Sequence, residues 1–286
     1  MKRNLISNLI FFQNGLGQKR YGIERTVSKL YRYYNNDIYF SQSNKIFVKN
    51  TNNLSKNLLN LYNVNYNLIK TDNNKIINIG GDHSMSIGSL GASLNIYGSD
   101  LKVVWIDAHA DINTICTSLS GNVHGMPLAF LTGIDSSDEY YYLSKYLKFD
   151  NLCYIGIRDL DIAETKIIKK YKIKTILSND FNFMTNNITN KLIKWCKNSP
   201  VHLSIDIDSL DPYYMQHTGT KADRGLKKNA LLKFINMFCQ TANIVNIDLA
   251  ELNLYNPDCK DMSEDKKNRS FNNFNLILKN LYDNLS

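Results

Sequence analysis

Lys102-Val103-Val104-Trp105-Ile106-Asp107-Ala108-His109-Ala110-Asp111 changes character at a single residue. The run Lys102 to Ile106 has the unbroken apolar composition of a strand covered on both faces, the kind found in parallel sheets. It ends in three ionisable groups spaced two residues apart. While the chain stays extended, period two sends Asp107, His109 and Asp111 to one side. Crowding them at a sheet's carboxyl end is costly unless something cationic neutralises the carboxylates. In open α/β sheets that end is also where ligands bind.

Similar apolar runs recur on either side, at Leu5 to Phe12, Lys75 to Ile79, Leu152 to Ile157, Lys174 to Leu177, Val201 to Ile207 and Ile244 to Leu249. The stretches between them carry helical spacing, as in Leu54, Leu58, Leu59, Leu61 and Tyr62, or Leu231, Leu232, Ile235 and Phe238. Strand and helix alternating in this way indicate βαβ units and an α/β fold with a parallel sheet. A chain of 286 residues suits two domains or one large one. No linker rich in Pro, Gly or Ser divides it, so one domain over residues 1–286 is expected. Phe40 to Asn53 and the tail after Asp258 carry the weakest signals, although Phe271, Phe274, Leu276, Ile277 and Leu281 read as the apolar face of a closing helix.

Composition narrows the function. The formal charge of +8 invites a nucleic-acid or membrane partner. The basic residues are scattered, however, in short pairs such as Lys169-Lys170 and Lys227-Lys228, with no stripe interleaved with aromatics, so neither partner is expected. The five cysteines include no C-x-x-C pair and frame neither a disulfide scaffold nor a zinc site. Met1-Lys2-Arg3 ahead of Leu5 to Phe12 has the outline of a signal peptide, but Ser7 and Asn8 interrupt the apolar run, and a first buried strand is the preferred reading. With no run approaching the ~18 apolar residues of a membrane span, a soluble cytoplasmic protein is expected.

The strand-then-carboxylate device appears again. His202-Leu203-Ser204-Ile205 leads into Asp206-Ile207-Asp208, and Lys75 to Ile79 leads into Gly80-Gly81-Asp82-His83-Ser84. One Asp-x-Asp after a strand is equally well explained by a turn; three such strand ends are not. Neither G-x-G-x-x-G nor a P-loop is present, so the glycine pair is read as letting the backbone turn sharply to deliver His83. His83, His109, Asp107, Asp111, Asp206 and Asp208 make six oxygen and imidazole ligands without a thiolate. That set suits Mn²⁺, Fe²⁺ or Co²⁺ better than structural zinc. Six ligands fit two ions if a carboxylate bridges, and two ions about 3.5 Å apart sharing a water make hydroxide available near neutral pH. The expected chemistry is metal-assisted hydrolysis.

Together with Asp107-Ala108-His109-Ala110-Asp111-Ile112-Asn113-Thr114, Ser120-Gly121-Asn122-Val123-His124-Gly125-Met126-Pro127 and Ser204-Ile205-Asp206-Ile207-Asp208-Ser209-Leu210-Asp211-Pro212, the Gly80 to Ser84 segment resembles the ureohydrolases, and among them the arginases. The resemblance runs from about Ile77 to Asn253. It implies a three-layer αβα sandwich with a mainly parallel sheet, two Mn²⁺ per chain, and hydrolysis of L-arginine to L-ornithine and urea. By the same likeness His83 and Asp111 bind one ion, His109 and Asp208 the other, and Asp107 and Asp206 bridge. Asn113, Ser120 and Asn122 fall where arginases contact the α-carboxylate, and Asp161 and Glu164 where they contact the α-amino group. His124 matches the proton-shuttling histidine, Glu251 the carboxylate facing the guanidinium, and Thr220 lies in the neighbouring loop. His202 is read as structural and His217 as a loop residue.

Two segments depart from the family pattern. After Thr218-Gly219-Thr220 the family continues with Pro and a Gly-Gly pair, where this chain has Lys221-Ala222-Asp223-Arg224-Gly225, placing Arg224 where a positive φ is expected. Asn253 is followed by Leu254 instead of Pro, with Asn256-Pro257 slightly later. Gly17-Gln18-Lys19-Arg20-Tyr21-Gly22-Ile23-Glu24 only loosely resembles the family's substrate-side loop. The alternatives are an agmatinase-type ureohydrolase and a catalytically silent arginine- or metal-binding scaffold. The likeness further implies a homo-oligomer, trimer or hexamer.

Overall fold

A computed structural model describes residues 7–71 and 75–285. In chain order the strands are β1 Asn8–Phe12, β2 Asn44–Val48, β3 Ile76–Ile79, β4 Lys102–Ile106, β5 Leu152–Ile155, β6 Lys174–Ile176, β7 Pro200–Asp206 and β8 Asn243–Ala250. The helices are α1 Ile23–Asn35, α2 Leu54–Thr71, α3 Ser86–Tyr97, α4 Pro127–Thr132, α5 Ile162–Tyr171, α6 Ser178–Cys196, α7 Lys228–Cys239 and α8 Glu264–Leu285. All eight strands join one sheet in the order β2-β1-β3-β8-β7-β4-β5-β6, and every neighbouring pair is parallel.

Side-chain alternation sorts the core into two layers. Leu9, Phe11, Ile77, Ile79, Val104 and Ile106 face the side packed by α1, α6, α7 and α8. Ile10, Phe12, Ile76, Val103 and Trp105 face the side packed by α2, α3 and α4, with Ile167 and Ile168 of α5. Burial on both faces is why these strands read as solid apolar runs.

All seven expected strands form, with ends moved by a residue or two, and Leu5 and Ile6 lie outside the described residues. β2 is an addition. It is a sheet edge with exposed or half-buried residues, so Asn44-Lys45-Ile46-Phe47-Val48 lacks the apolar signal of an interior strand. The closing helix forms as α8, but Leu276 is 43% exposed; Leu278 is buried instead, one turn beyond Phe274. The glycine pair has ordinary negative φ. Its role is close approach: a Cβ on Gly81 would meet the Asn14 carbonyl and one on Gly80 the Met85 sulfur.

The sheet order brings the carboxyl ends of β3, β8, β7 and β4 side by side, level in register from Ile79 opposite Leu249, through Asp206 opposite Ala250, to Ile106 opposite Ile205. β3 and β4 are consecutive in sequence yet separated by two inserted strands, the switch point at which α/β sheets open a crevice. Arg158, just past β5, fastens the loops beyond these ends. Its guanidinium donates to the carbonyls of Gly156, Asp208, Ser209, Ala222 and Asp223 at 2.8–3.1 Å. The divergent loop from Lys221 is thereby tied to the Asp206-Asp208 strand end. Arg224 does adopt a left-handed φ of 60°.

Lysine has one compact donor group and cannot serve all these carbonyls at once. Arg158→Lys should lower unfolding free energy by about 2–4 kcal/mol, since several buried acceptors lose their donors, as read from urea denaturation. Arg224→Gly should be neutral or stabilise by up to about 1 kcal/mol, because it removes the left-handed penalty while loosening the unfolded chain.

Candidate metal centre and substrate pocket

Three strand ends turn in the same way. Asp82, Asp107 and Asp206 each fold a side-chain oxygen back onto the N–H two residues on: Asp82 Oδ1 accepts from Ser84 at 3.2 Å, Asp107 Oδ1 from His109 at 2.8 Å and Asp206 Oδ1 from Asp208 at 2.7 Å. These Asx turns end the strands and aim the following side chains inward. The chain after Ile106 is therefore not extended, contrary to expectation; residues 107–113 are irregular, and Asp111 has a left-handed φ of 51°.

The turns converge on two nests. His83 Nδ1 lies 3.0 Å from Asp107 Oδ2, 3.0 Å from Asp111 Oδ2 and 3.2 Å from Asp206 Oδ2. His109 Nδ1 lies 3.2 Å from Asp208 Oδ2 and 3.5 Å from Asp107 Oδ1. Asp107 thus gives one oxygen to each nest. Asp206 faces the His83 nest through Oδ2, while its Oδ1 holds the Asp208 N–H. All six expected ligands come together. The two groupings with metal-ligand spacing are His83, Asp107 and Asp111, and Asp107, His109 and Asp208.

Outer partners fix the imidazoles. Ser204 Oγ lies 2.8 Å from His83 Nε2, and the ring stacks on Trp105 at 4.2 Å between centroids. Trp105 in turn donates Nε1–H to Asp107 Oδ2 at 3.0 Å. Asp159 Oδ2 lies 3.6 Å from His109 Nε2. With its Nε2 engaged by Ser204, the His83 Nδ1 is directed at the carboxylates. His83 Nδ1 is buried and makes no aligned hydrogen bond, although three carboxylate oxygens surround it. A divalent cation between them would satisfy nitrogen and oxygens together, and the all-imidazole and carboxylate set fits such an ion.

The electrostatics agree. Burial works against charge on His83 and His109, yet the surrounding carboxylates prevail and raise both well above the usual histidine range. Burial raises Asp206 strongly, reinforced by Asp208 and Asp107. Asp111 goes up to about 6 through burial and Asp107. Burial likewise raises Asp208 against the pull of His109. Only Asp107, between both imidazoles, is held far down despite its burial. Two imidazoles carry too little positive charge for four carboxylates.

A cavity of about 270 Å³ opens over the nests, reaching His109, Asp111, His124, Asp206 and Asp208, with Asn113, Asp161, Glu164 and Thr220 on its walls. Asn113 donates to Asp161 at 2.7 Å, and Thr220 to Asp208 at 3.2 Å. Asp161 and Glu164 form the capping box of α5, and burial with Asp111 nearby pushes Glu164 up to about 8. Ser120 and Asn122 are not on the walls; Ser120 is exposed, and its hydroxyl accepts from the Asn122 N–H.

Behind the nests, Glu251 Oε1 lies 3.2 Å from His124 Nδ1 and accepts the His83 N–H at 2.9 Å. Burial opposes the charge on His124, but Glu251 outweighs it and lifts His124 to about 9. Glu251, buried yet served by these donors, stays below the usual range. Gln18 also donates to Glu251. Neither Gln18 nor Arg158 carries a sequence signal of its own: Gln18 lies in a loop that only loosely resembles the family's, and in Arg158-Asp159-Leu160-Asp161 the carboxylates are the conspicuous groups. His202 is structural as expected, buried between Asp248 Oδ2 at 3.1 Å and Ser93 Oγ at 3.1 Å. His217 is also buried, with Nδ1 3.3 Å from Ser270 Oγ.

A sequence model of the Arginase family matches residues 17–263. The chain is 41% identical over 202 residues to a protein named arginase from Plasmodium falciparum, covering 68% of this chain and 48% of that one. It is 33% identical over 219 residues to a hepatic arginase of Aquarana catesbeiana, covering 73% and 67%. The chain spans about half the length of the Plasmodium falciparum relative and of a Neurospora crassa arginase, 48% and 53%. Among solved structures, an arginase from Bacillus subtilis superposes with a TM-score of 0.82 at 27% identity, covering 96% of this chain and 98% of that one. One from Entamoeba histolytica in complex with L-ornithine gives 0.85 at 24% identity, covering 97% and 98%, and speaks to the fold alone. The family match extends over most of the sequence and includes all six residues of the two nests, and the chain belongs to the arginase family.

Proposed function

We propose that this chain is an arginase, hydrolysing the guanidinium of L-arginine to L-ornithine and urea with two Mn²⁺ per chain. The observation that carries the reading is the pair of nests sharing Asp107 beneath a polar cavity. His83 and Asp111 would hold one ion and His109 and Asp208 the other, with Asp107 and Asp206 between them. Held by these residues, two divalent ions would supply a water acidified toward neutral pH as the nucleophile.

The chain's own residues do the rest. Glu251 is ionised and buried, so it accepts parallel N–H bonds from a guanidinium and turns its carbon toward the centre. His124, protonated beside Glu251, is placed to deliver a proton to the departing amine. Asp111 faces both His83 and the cavity, and takes part in holding the attacking water. Asp161 and Glu164 suit the α-amino end, and Asn113 with Ser120 and Asn122 the α-carboxylate. The alternative reading is agmatinase-type hydrolysis of a substrate without that carboxylate. The single sheet supports one domain over residues 1–286. Among the described residues no helix is long and apolar enough to cross a membrane. A cytoplasmic setting follows from the reading of the sequence, and a homotrimeric or hexameric assembly from the family likeness.

Urea release from L-arginine and agmatine, assayed side by side after Mn²⁺ loading, should favour L-arginine by at least about tenfold in kcat/KM; equal or reversed preference would make agmatinase the better reading. Asp206→Asn should lower turnover by more than about a hundredfold, and unchanged turnover would remove Asp206 from the centre.

The metal-free protein should also show a distinctive pH dependence. His83, His109 and His124 are raised in the fold, so their contribution is present below about pH 6.5 and is lost as pH climbs through the folded values, about 9 for His124. Asp82 and Asp111, pushed to about 6, likewise cost stability as pH rises from about 4 to 6, and Glu164, pushed to about 8, from about 4 to 8, because the unfolded chain ionises first. Asp107 and Glu251, held down, act only below about pH 4. The urea midpoint without metal should therefore fall steadily from pH 6 to 9, taken as a range of about three units, and saturating Mn²⁺ should abolish the fall.

A further inference from the structure

The substrate-side loop carries a polar atom that the reading above leaves unused. Gln18 is 8% exposed, and its Nε2 donates to both Glu251 oxygens, at 3.2 Å to Oε1 and 3.0 Å to Oε2. Its own Oε1 is buried and has no hydrogen-bond partner. The amide orientation is dictated by chemistry, because turning it over would set an oxygen against the carboxylate. The backbone beneath is pinned on both sides: the Gly17 N–H donates to Asp82 at 2.8 Å, and the Gly17 carbonyl accepts from the His124 N–H at 3.1 Å. A side chain on Gly17 would strike Asp82 and Ser84. Gln18 is thus held rigidly against Glu251.

A buried acceptor without a donor is expensive, of the order of 1–3 kcal/mol, and such an atom in a polar site calls for a ligand that brings an N–H. Gly219 shows where. A Cβ built there would lie 3.1 Å from Gln18 Oε1 and 3.1 Å from Glu251 Oε2. Both acceptors therefore converge on one point beside Gly219. Two neighbouring acceptors, one neutral and one anionic, suit adjacent N–H groups of a planar cation.

We propose that Gln18 is a positioning residue of the guanidinium subsite, its Nε2 fixing Glu251 and its unpartnered Oε1 accepting a substrate N–H. This rests on the reading that Glu251 receives the guanidinium. It explains why the Glu251 carboxylate holds one orientation before substrate arrives.

Calorimetry on Mn²⁺-loaded protein tests it with two probes, methylguanidine, which carries only the cation, and L-ornithine, which lacks it. Gln18→Met keeps length and bulk but removes donor and acceptor, and should weaken methylguanidine about tenfold or more while leaving L-ornithine within about twofold. Gly219→Ala should weaken methylguanidine alone in the same way. With L-arginine, Gln18→Met should lower kcat more than it raises KM, as expected when an oriented carboxylate is loosened. Unchanged methylguanidine binding in Gln18→Met, or equal loss of both probes, would overturn the assignment. If neither L-arginine nor agmatine yields urea while the selective loss of methylguanidine remains, the proposed reaction fails and Gln18's role stands.

Discussion

Four carboxylates and two imidazoles buried within hydrogen-bond distance of one another are the constraint on which this structure depends. Left to themselves they repel, and burial removes the water that would screen them. Protonating both histidines relieves only part of the strain, so Asp206, Asp208 and Asp111 are all driven toward their neutral forms. A fold keeps such a cluster when a stronger cation offsets its cost. The sheet order places four strand ends level, Asx turns hold the first aspartate of three of them, and Ser204 and Trp105 lock the His83 ring.

The candidate metal ligands were legible in the sequence because their chemistry is local. Each motif is an apolar strand followed at once by its ligands, so locating the strand locates the ligands. Turn formation and ligand placement, the competing explanations of Asp-x-Asp, coincide here: one oxygen of Asp107 and of Asp206 closes the turn, and another faces a nest. Period-two alternation gave the right companions for the wrong reason, since the chain bends where an extended strand was expected.

What the sequence did not disclose depends on distance along the chain. β2 lies at an edge and is only half covered, so its apolar content is too low to stand out. Gln18 meets Glu251 from 233 residues away, and nothing near it in sequence marks the encounter. Arg158 is inconspicuous for the opposite reason: it lies beside recognised carboxylates, but its partners are backbone carbonyls that carry no sequence signal. Those bonds also explain how the altered loop from Lys221 is accommodated. The loop's carbonyls are fixed by a residue outside it, which leaves its side chains free to diverge.

The central claim is that the two nests form a binuclear centre built around Asp107. Anomalous diffraction at the manganese edge, from crystals grown with Mn²⁺, addresses it directly. Two peaks about 3.5–4 Å apart, one bonded to His83 Nδ1, the other to His109 Nδ1, and both to Asp107, are the predicted result. A single peak, or full-occupancy manganese elsewhere with these nests empty, would contradict it.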